Sequence, residues 1–333
     1  MKAVLWICHP ESQPMAQLLD RPFIQHIVEQ LVTRGVSRIE LLMGHRNKAV
    51  GHLLGDGTRW GISIACHPLD HAATQEDFAA VTAGDAAVIL CGDAASLPAL
   101  PVLKKDGETL ASPALFFHDE GDEIAWTGWA VLPEREVASF AAKIVGGEDW
   151  RTAITPRLLD VEKKILEGAS IAAGSPQQVL DSNWMALEGG YPGLYHDGVE
   201  KEPGIWIARG AKIAATAVVE APCYIGEEAW IGETCKIGPF AVIGRECVVE
   251  RGTSVRRSVL SEATYLGPEL EVADSSVVQN VIYNVRLGAE VEIDEEHVVS
   301  GLNSGPLLPQ WVKIWTVSVL LMVICFWIYW KHH

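Results

Sequence analysis

Residues 207–260 read IARGAKIAATAVVEAPCYIGEEAWIGETCKIGPFAVIGRECVVERGTSVRRSVL, and a frame of six runs through them without a break. Ile207, Ile213, Val219, Ile225, Ile231, Ile237, Ile243, Val249 and Val255 share one position of that frame. Four residues after each stands Ala211, Ala217, Cys223, Ala229, Cys235, Ala241, Cys247, Thr253 or Val259, all small or modest in size. A period of six specifies a β-helix in which each hexad forms one flat face of a coil. The large aliphatic side chain points inward and the small residue fits the corner. Glycine, which follows the aliphatic residue at Gly226, Gly232, Gly238 and Gly244, eases the turn. Three hexads close a coil, so this stretch makes three coils. The frame then slips and resumes at Leu266, Val272 and Val278, and again at Leu287, Ile293 and Val299, as it does where a loop leaves a solenoid. Burying each inward residue is worth roughly 1.5–3 kcal/mol, a gain realised only when coils stack. Cys223, Cys235 and Cys247 occupy the small-residue slot, which makes them packing residues before metal ligands or disulfide partners. The solenoid spans 204–305.

Upstream, residues 1–190 alternate strand-like runs with helical ones. Lys2–Ile7, Ile39–Met43, Ile62–Cys66, Ala87–Cys91 and Ala130–Leu132 are the apolar runs. Phe23–Arg34 carries apolar residues at helical spacing. Alternation of this kind predicts an α/β sandwich on a mainly parallel sheet. Tyr191–Pro203, rich in glycine, proline and charge, reads as a linker. GDGTRWG (Gly55–Gly61) lacks dinucleotide-fingerprint spacing and reads as a D-G turn. In CHPLDH (Cys66–His71), Pro68 breaks helical ligand spacing, and a polar loop is the better reading than a metal site.

Downstream, Val312–Trp330 is a 19-residue apolar run, about 28 Å long as a helix and close to a hydrocarbon core of about 30 Å. Trp311, Trp315, Trp327 and Trp330 sit at its ends, where interfacial aromatics belong. Residues 311–330 are therefore expected to form a single C-terminal transmembrane helix. The soluble domains are expected on the cytoplasmic side.

The 333 residues include 26 Lys+Arg and 43 Asp+Glu, a net charge of −17. A surface this acidic repels phosphate backbones and argues against nucleic-acid binding. Charged residues at 21% and hydrophobic ones at 49% exclude a disordered chain. Seven cysteines without a CxxC pair, and no secretory leader before the first strand, suit a reducing compartment.

An α/β domain followed by a hexapeptide solenoid resembles the sugar-1-phosphate nucleotidyltransferases, especially the mannose-1-phosphate guanylyltransferases. KAVL is similar to the family's first strand, and LLDRPFIQHIVEQLVTRGVSRI to its first helix and second strand. LLGDGTRWGISI, AAVILCGD, WTGWAVLP and AGSPQQVLDSNWMAL resemble, in turn, its GDG hairpin, its metal-binding strand end, its N-A-G-x-Y-V-L strand and its D-x-G-T-P-x-x-Y segment. The resemblance implies a Rossmann-type sandwich, a left-handed parallel β-helix and a sugar-nucleotide ligand. It places a metal aspartate at Asp93 and a nucleotide or sugar pocket at Gly92, Thr127 and Gly128, with Mg²⁺ as the cofactor if the chain is active. A homo- or hetero-oligomer is expected.

The charged machinery departs from that pattern. CHPES stands where the family has the glycine-rich loop G-G-x-G-T-R, whose backbone N–H groups hold the triphosphate. The family's P-K-P lysine falls on Gln13, its second metal aspartate on Ala172, and its E-K-P motif has no counterpart near His118–Ile124. A lone carboxylate does not position Mg²⁺ and neutralise a triphosphate. The expected reading is a membrane-tethered relative acting as scaffold or regulator in surface-polysaccharide or glycoconjugate synthesis, with nucleotidyl transfer lost. The alternative is an active nucleotidyltransferase with a rebuilt loop. Hexapeptide solenoids also occur in acyltransferases, but those need a histidine base, and none lies between His196 and His297.

Overall fold

The computed structural model of the chain describes residues 1–7, 13–44, 48–69, 75–82, 88–105, 108–109, 113–119, 124–133, 137, 162–191 and 193–302. The first half is built on a seven-stranded sheet in the order Glu162–Leu166, Ala114–Asp119, Ile124–Pro133, Val88–Asp93, Lys2–Ile7, Arg38–Gly44, Ser63–Leu69. Only Ile124–Pro133 runs against its neighbours. Side chains alternate across the first strand as the pleat demands. Ala3, Leu5 and Ile7 join Phe23, Ile24, Ile27, Val28 and Leu31 of the helix Phe23–Thr33 on one face. Val4 and Trp6 join Leu42, Phe78 and Val81 on the other. The expected sandwich on a mainly parallel sheet is therefore present. CHPLDH differs from expectation: Cys66, His67 and Pro68 belong to the edge strand Ser63–Leu69, where a proline breaks no central ladder, and His67 Nε2 lies 2.7 Å from Glu40 Oε2. Asp70 and His71 lie outside the described residues.

The second half is a parallel β-helix. Ile205↔Cys223, Tyr224↔Val242 and Ile231↔Val249 pair across coils, a repeat of 18 residues. Ile225, Ile231, Ile237, Ile243, Val249 and Val255 are all fully buried in its interior. Two details of the frame differ from the sequence reading. The positive φ angles fall not on Gly226, Gly232 and Gly244 but on Glu228, Thr234 and Glu246. Those glycines are required by stacking instead, because a Cβ on Gly226 would lie 2.6 Å from the Gly244 backbone. The slip occurs in the corner after Val255, where one residue fewer brings Val259 into register with Val242. Ser258, not Val259, takes the corner slot, and its Oγ accepts from Ser275 N at 3.0 Å.

A second loss of one residue, after Val272, places Val277 rather than Val278 inward, in register with Leu260; Val278 is 47% exposed. From there the chain leaves the coil path. Ser275–Val278, Val281–Asn284 and Ala289–Glu292 form an antiparallel meander, and Leu287 stands at its turn 72% exposed. Val299 is buried from an antiparallel strand that pairs with Thr264–Leu266, so the coils end there rather than continuing through Leu287 and Ile293.

Tyr191–Pro203 is more than a linker. Tyr191 is buried, its hydroxyl donates to Pro98 O at 3.0 Å, and Val199–Glu202 pairs with Ile205–Ile207. The two halves meet along one face of the solenoid. Its outward Tyr224, Val242 and Val259 pack with Leu180 and Leu187 of the helix Pro176–Leu187 and with Leu19. Arg257 lies 4.3 Å over the Trp184 ring at the edge of this seam. Among the described residues no helix is long and apolar enough to cross a membrane; Trp311–Trp330 lies outside them.

Ile231→Asp places an unpaired carboxylate inside the stacked coils. We expect it to destabilise the solenoid by several kcal/mol, seen as a lowered midpoint in circular-dichroism melts; an unchanged midpoint means that Ile231 does not point inward.

Candidate functional site

The chain runs from Lys2–Ile7 to Arg38–Gly44 and Ser63–Leu69 on one side, then returns to Val88–Asp93 on the other. Such a reversal opens a crevice beyond the carboxyl ends of the two central strands, where α/β folds bind ligands. Asp93 ends one of those strands opposite Trp6. It is 5% exposed, and its Oδ1 accepts from Ala95 N at 2.9 Å, so the carboxylate caps a turn. A relay of backbone hydrogen bonds links the expected positions: Ala173 N donates to Ala95 O at 2.8 Å, and Gln13 N donates to Ala173 O at 2.7 Å. The structure thus brings Asp93, Gln13 and the Ala172 strand together. CHPES (residues 8–12) lies outside the described residues.

Beside this relay is a cavity of about 390 Å³ that holds two of the expected positions, Thr127 and Ala172. Thr127 Oγ1 donates to Phe116 O at 2.9 Å, and Ser96 Oγ donates to Thr127 O at 3.0 Å, so the wall is fixed by buried hydrogen bonds. Gly128 follows at φ 85°, a conformation that suits glycine. Ser182 Oγ both accepts from Ala172 N and donates to Ala172 O, each at 2.8 Å. Gly92 is not open to a ligand in the same way: a Cβ there would meet the Trp129 ring at 2.4 Å, and Trp129 itself donates from Nε1 to Ser96 O at 2.9 Å.

One wall comes from the helix Pro176–Leu187, whose start is well specified. Ser175 is the N-cap, its Oγ accepting from Gln178 N at 3.3 Å, and Pro176 occupies the first turn. Gln178, Asp181, Ser182 and Met185 line the cavity from this helix. Sequence reasoning missed them, although their spacing of three, four and seven from Gln178 marks one helical face. Among the described lining residues there is one carboxylate, Asp181, one imidazole, His118, and no lysine or arginine. The rest are hydroxyls, an amide, an indole and small or apolar groups.

Protein-held Mg²⁺ wants one or two carboxylates together with substrate phosphates. Asp93 supplies one that is already capping a turn, Ala172 supplies none, and no group of three or more metal-binding side chains occurs among the described residues. The described donors do not make the family's two-aspartate site.

The fold and site define an α/β sandwich with a strand-end crevice, joined to a hexapeptide solenoid. Residues 205–307 match the family model described as the GMPPB C-terminal domain. The chain is 28% identical over 150 residues to the bifunctional protein GlmU of an Exiguobacterium species and 25% identical over 150 residues to that of Exiguobacterium sibiricum. Each match covers 45% of this chain but 29% of the relative, so the chain spans under a third of the length of those curated relatives. A putative glucose-1-phosphate thymidylyltransferase from Bacillus anthracis, solved in complex with a sucrose, aligns over 56% of this chain and 94% of its own at 13% identity, with a TM-score of 0.42. The family-model match and the two relatives support a sugar-1-phosphate nucleotidyltransferase-like chain with a C-terminal hexapeptide-repeat region.

Gly92→Ala forces a methyl group into the Trp129 indole, and both strands must shift to admit it. We expect a loss of about 1–3 kcal/mol, typical of overpacking, measured by denaturant unfolding followed through tryptophan emission.

Proposed function

We propose that this chain is a nucleotidyltransferase-like protein that has lost nucleotidyl transfer and serves as a membrane-tethered scaffold or regulatory partner in surface-polysaccharide or glycoconjugate synthesis. The observation that carries this reading is the cavity around Thr127 and Ala172, whose described lining holds no cationic side chain. Phosphoryl chemistry is catalysed largely by positioning and by neutralising charge, and each missing charged contact costs orders of magnitude in rate. Hydroxyls, an amide and the Trp126 indole suit a sugar ring far better than a triphosphate. Gln13 and Ala172 at the charged family positions point the same way.

An active nucleotidyltransferase is the second reading, favoured by the buried Asp93 at the end of its strand. A pyrophosphate-release assay with several triphosphates and sugar 1-phosphates separates the two. We expect no turnover; Mg²⁺-dependent release that Asp93→Ala abolishes would overturn the proposal.

The membrane part of the reading rests on the apolar run Val312–Trp330. Lys313, near the start of the run, and Lys331, just past its end, can snorkel toward the headgroups, so they do not forbid spanning. In this reading the span leaves both folded halves on the cytoplasmic side. A scaffold also implies association with another chain, either a second copy or a different protein. We expect the 333-residue chain to remain with membranes through a carbonate wash while a chain ending at Pro309 is released. Release of both means that the segment is a peripheral helix or a solenoid cap.

A further inference from the structure

The hairpin Gln17–Pro22 ties the α/β half to the solenoid, and its turn is held in a conformation that its sequence disfavours. Leu19 has φ 53°, in the left-handed region that strains a leucine. Bonds from several elements keep it there. Leu19 N donates to Asn183 Oδ1 at 2.8 Å, and the Leu19 side chain joins the apolar seam. Asp20 Oδ2 accepts at 3.0 Å from Asp197 N, on the stretch that leads into the solenoid. His26 Nε2 lies 2.8 Å from Leu18 O; a carbonyl only accepts, so this nitrogen carries a proton.

Two histidines border the hairpin. His26, on the helix Phe23–Thr33, is 1% exposed, and its Nε2 lies 3.7 Å from Asp20 Oδ1. His196 is half-buried and shares with Leu19 the lining of a cavity of about 130 Å³. Its ring stands edge-on to two rings of the solenoid, with centroids 4.6 Å from Trp206 and 5.6 Å from Tyr224. His196 Nδ1 is buried and has no hydrogen-bond partner among the described residues. An imidazolium bears a proton on both nitrogens, so charging His196 puts a donor at Nδ1 with nothing to accept it.

Asp20 and Arg21 of the hairpin and Glu29 of its own helix face His26. Asp20, Arg21 and Asp197 face His196, and the Tyr191 and Tyr224 phenols, held protonated by burial, line the same cavity. Burial is the first cause acting on both histidines and holds each below the usual range. It outweighs the attraction of Asp20, whose Oδ1 already accepts from Arg21 Nε at 2.9 Å.

We propose that the hairpin Gln17–Pro22 is an acid-sensitive clasp: neutral His26 and His196 keep the α/β half docked on the solenoid, and their protonation releases the seam. Release uncovers the outward row of Tyr224, Val242 and Val259. The released form takes up protons more readily than the docked one. Docking is therefore at full strength above the ordinary histidine pKa of about 6.5 and weakens as pH falls below it.

The test is hydrogen exchange read by mass spectrometry on the full chain in detergent, at pH 7.5 and 5.5, corrected for the intrinsic pH dependence of exchange. At pH 5.5 exchange at residues 17–22 and 176–187 should rise about ten-fold through fully buried His26 and several-fold further through half-buried His196. The solenoid interior, residues 225–255, should stay unchanged. His196→Phe keeps a ring beside Trp206 and Tyr224 without titrating nitrogens. It should cut the acid response several-fold and leave protection at pH 7.5 intact. His26→Gln keeps a donor for Leu18 O, and together the two substitutions should abolish the response; if His26→Gln does not fold, His196→Phe decides alone. Equal seam protection at both pH values overturns the proposal. An undiminished response in His196→Phe or in the double variant overturns it and assigns the effect to carboxylates. Loss of protection at 225–255 along with the seam overturns it too, because acid then unfolds the whole chain.

Discussion

The inward stack of Ile225, Ile243, Leu260 and Val277 is the contact on which the rest of the molecule depends. Because strand side chains alternate, fixing these residues inward turns their neighbours Tyr224, Val242 and Val259 outward in one row. That row is the apolar face against which Leu180, Leu187 and Leu19 dock. Stacking tolerance is set by backbone-to-backbone approach at Gly226 and Gly244, where even a methyl group would collide with the next coil. At the corners, Cys235 Sγ donates to Glu250 O and Cys247 Sγ to Ser261 O, each at 3.0 Å, and Thr253 Oγ1 donates to Gly267 O at 2.7 Å. Burial pushes both thiols upward, Cys247 to about 12, which suits packing and not nucleophilic or metal chemistry.

The α/β half keeps a strand-end crevice, while several of the described polar groups beside it bond to the protein itself. Asp93 caps a turn, Thr127 and Ser96 bond backbone carbonyls, and Ser182 closes on both polar groups of Ala172. Each of these bonds holds the cavity wall without adding positive charge to it.

How legible this was differs by element. The solenoid was readable because its period of six is a direct consequence of geometry: one inward residue, one corner, one face. Its end was not, because a second residue is lost after Val272, which turns Val277 inward in place of Val278, and only register distinguishes the two. Family resemblance drew attention to Thr127 and to Ala172, which line the cavity, whereas Gln178, Asp181 and Ser182 drew none because a polar helix face normally signals solvent. Tyr224 was invisible for a different reason. In the frame of six it is simply an outward residue, and its burial comes from the α/β half docking over it.

The helix Pro176–Leu187 ties these observations together, since it presents two chemistries on opposite sides. Gln178, Asp181 and Ser182 face the cavity around Thr127, while Leu180, Trp184 and Leu187 face the solenoid. Asn183, fully buried, accepts from Leu19 N and donates to Gln17 O and Val179 O, each at 2.8 Å. That amide fixes the helix to the segment just before Asp20 and Arg21. One helix therefore contributes to both the cavity wall and the seam. Asn183 cannot be replaced by an apolar residue without leaving Leu19 N and Gln17 O buried and unpaired.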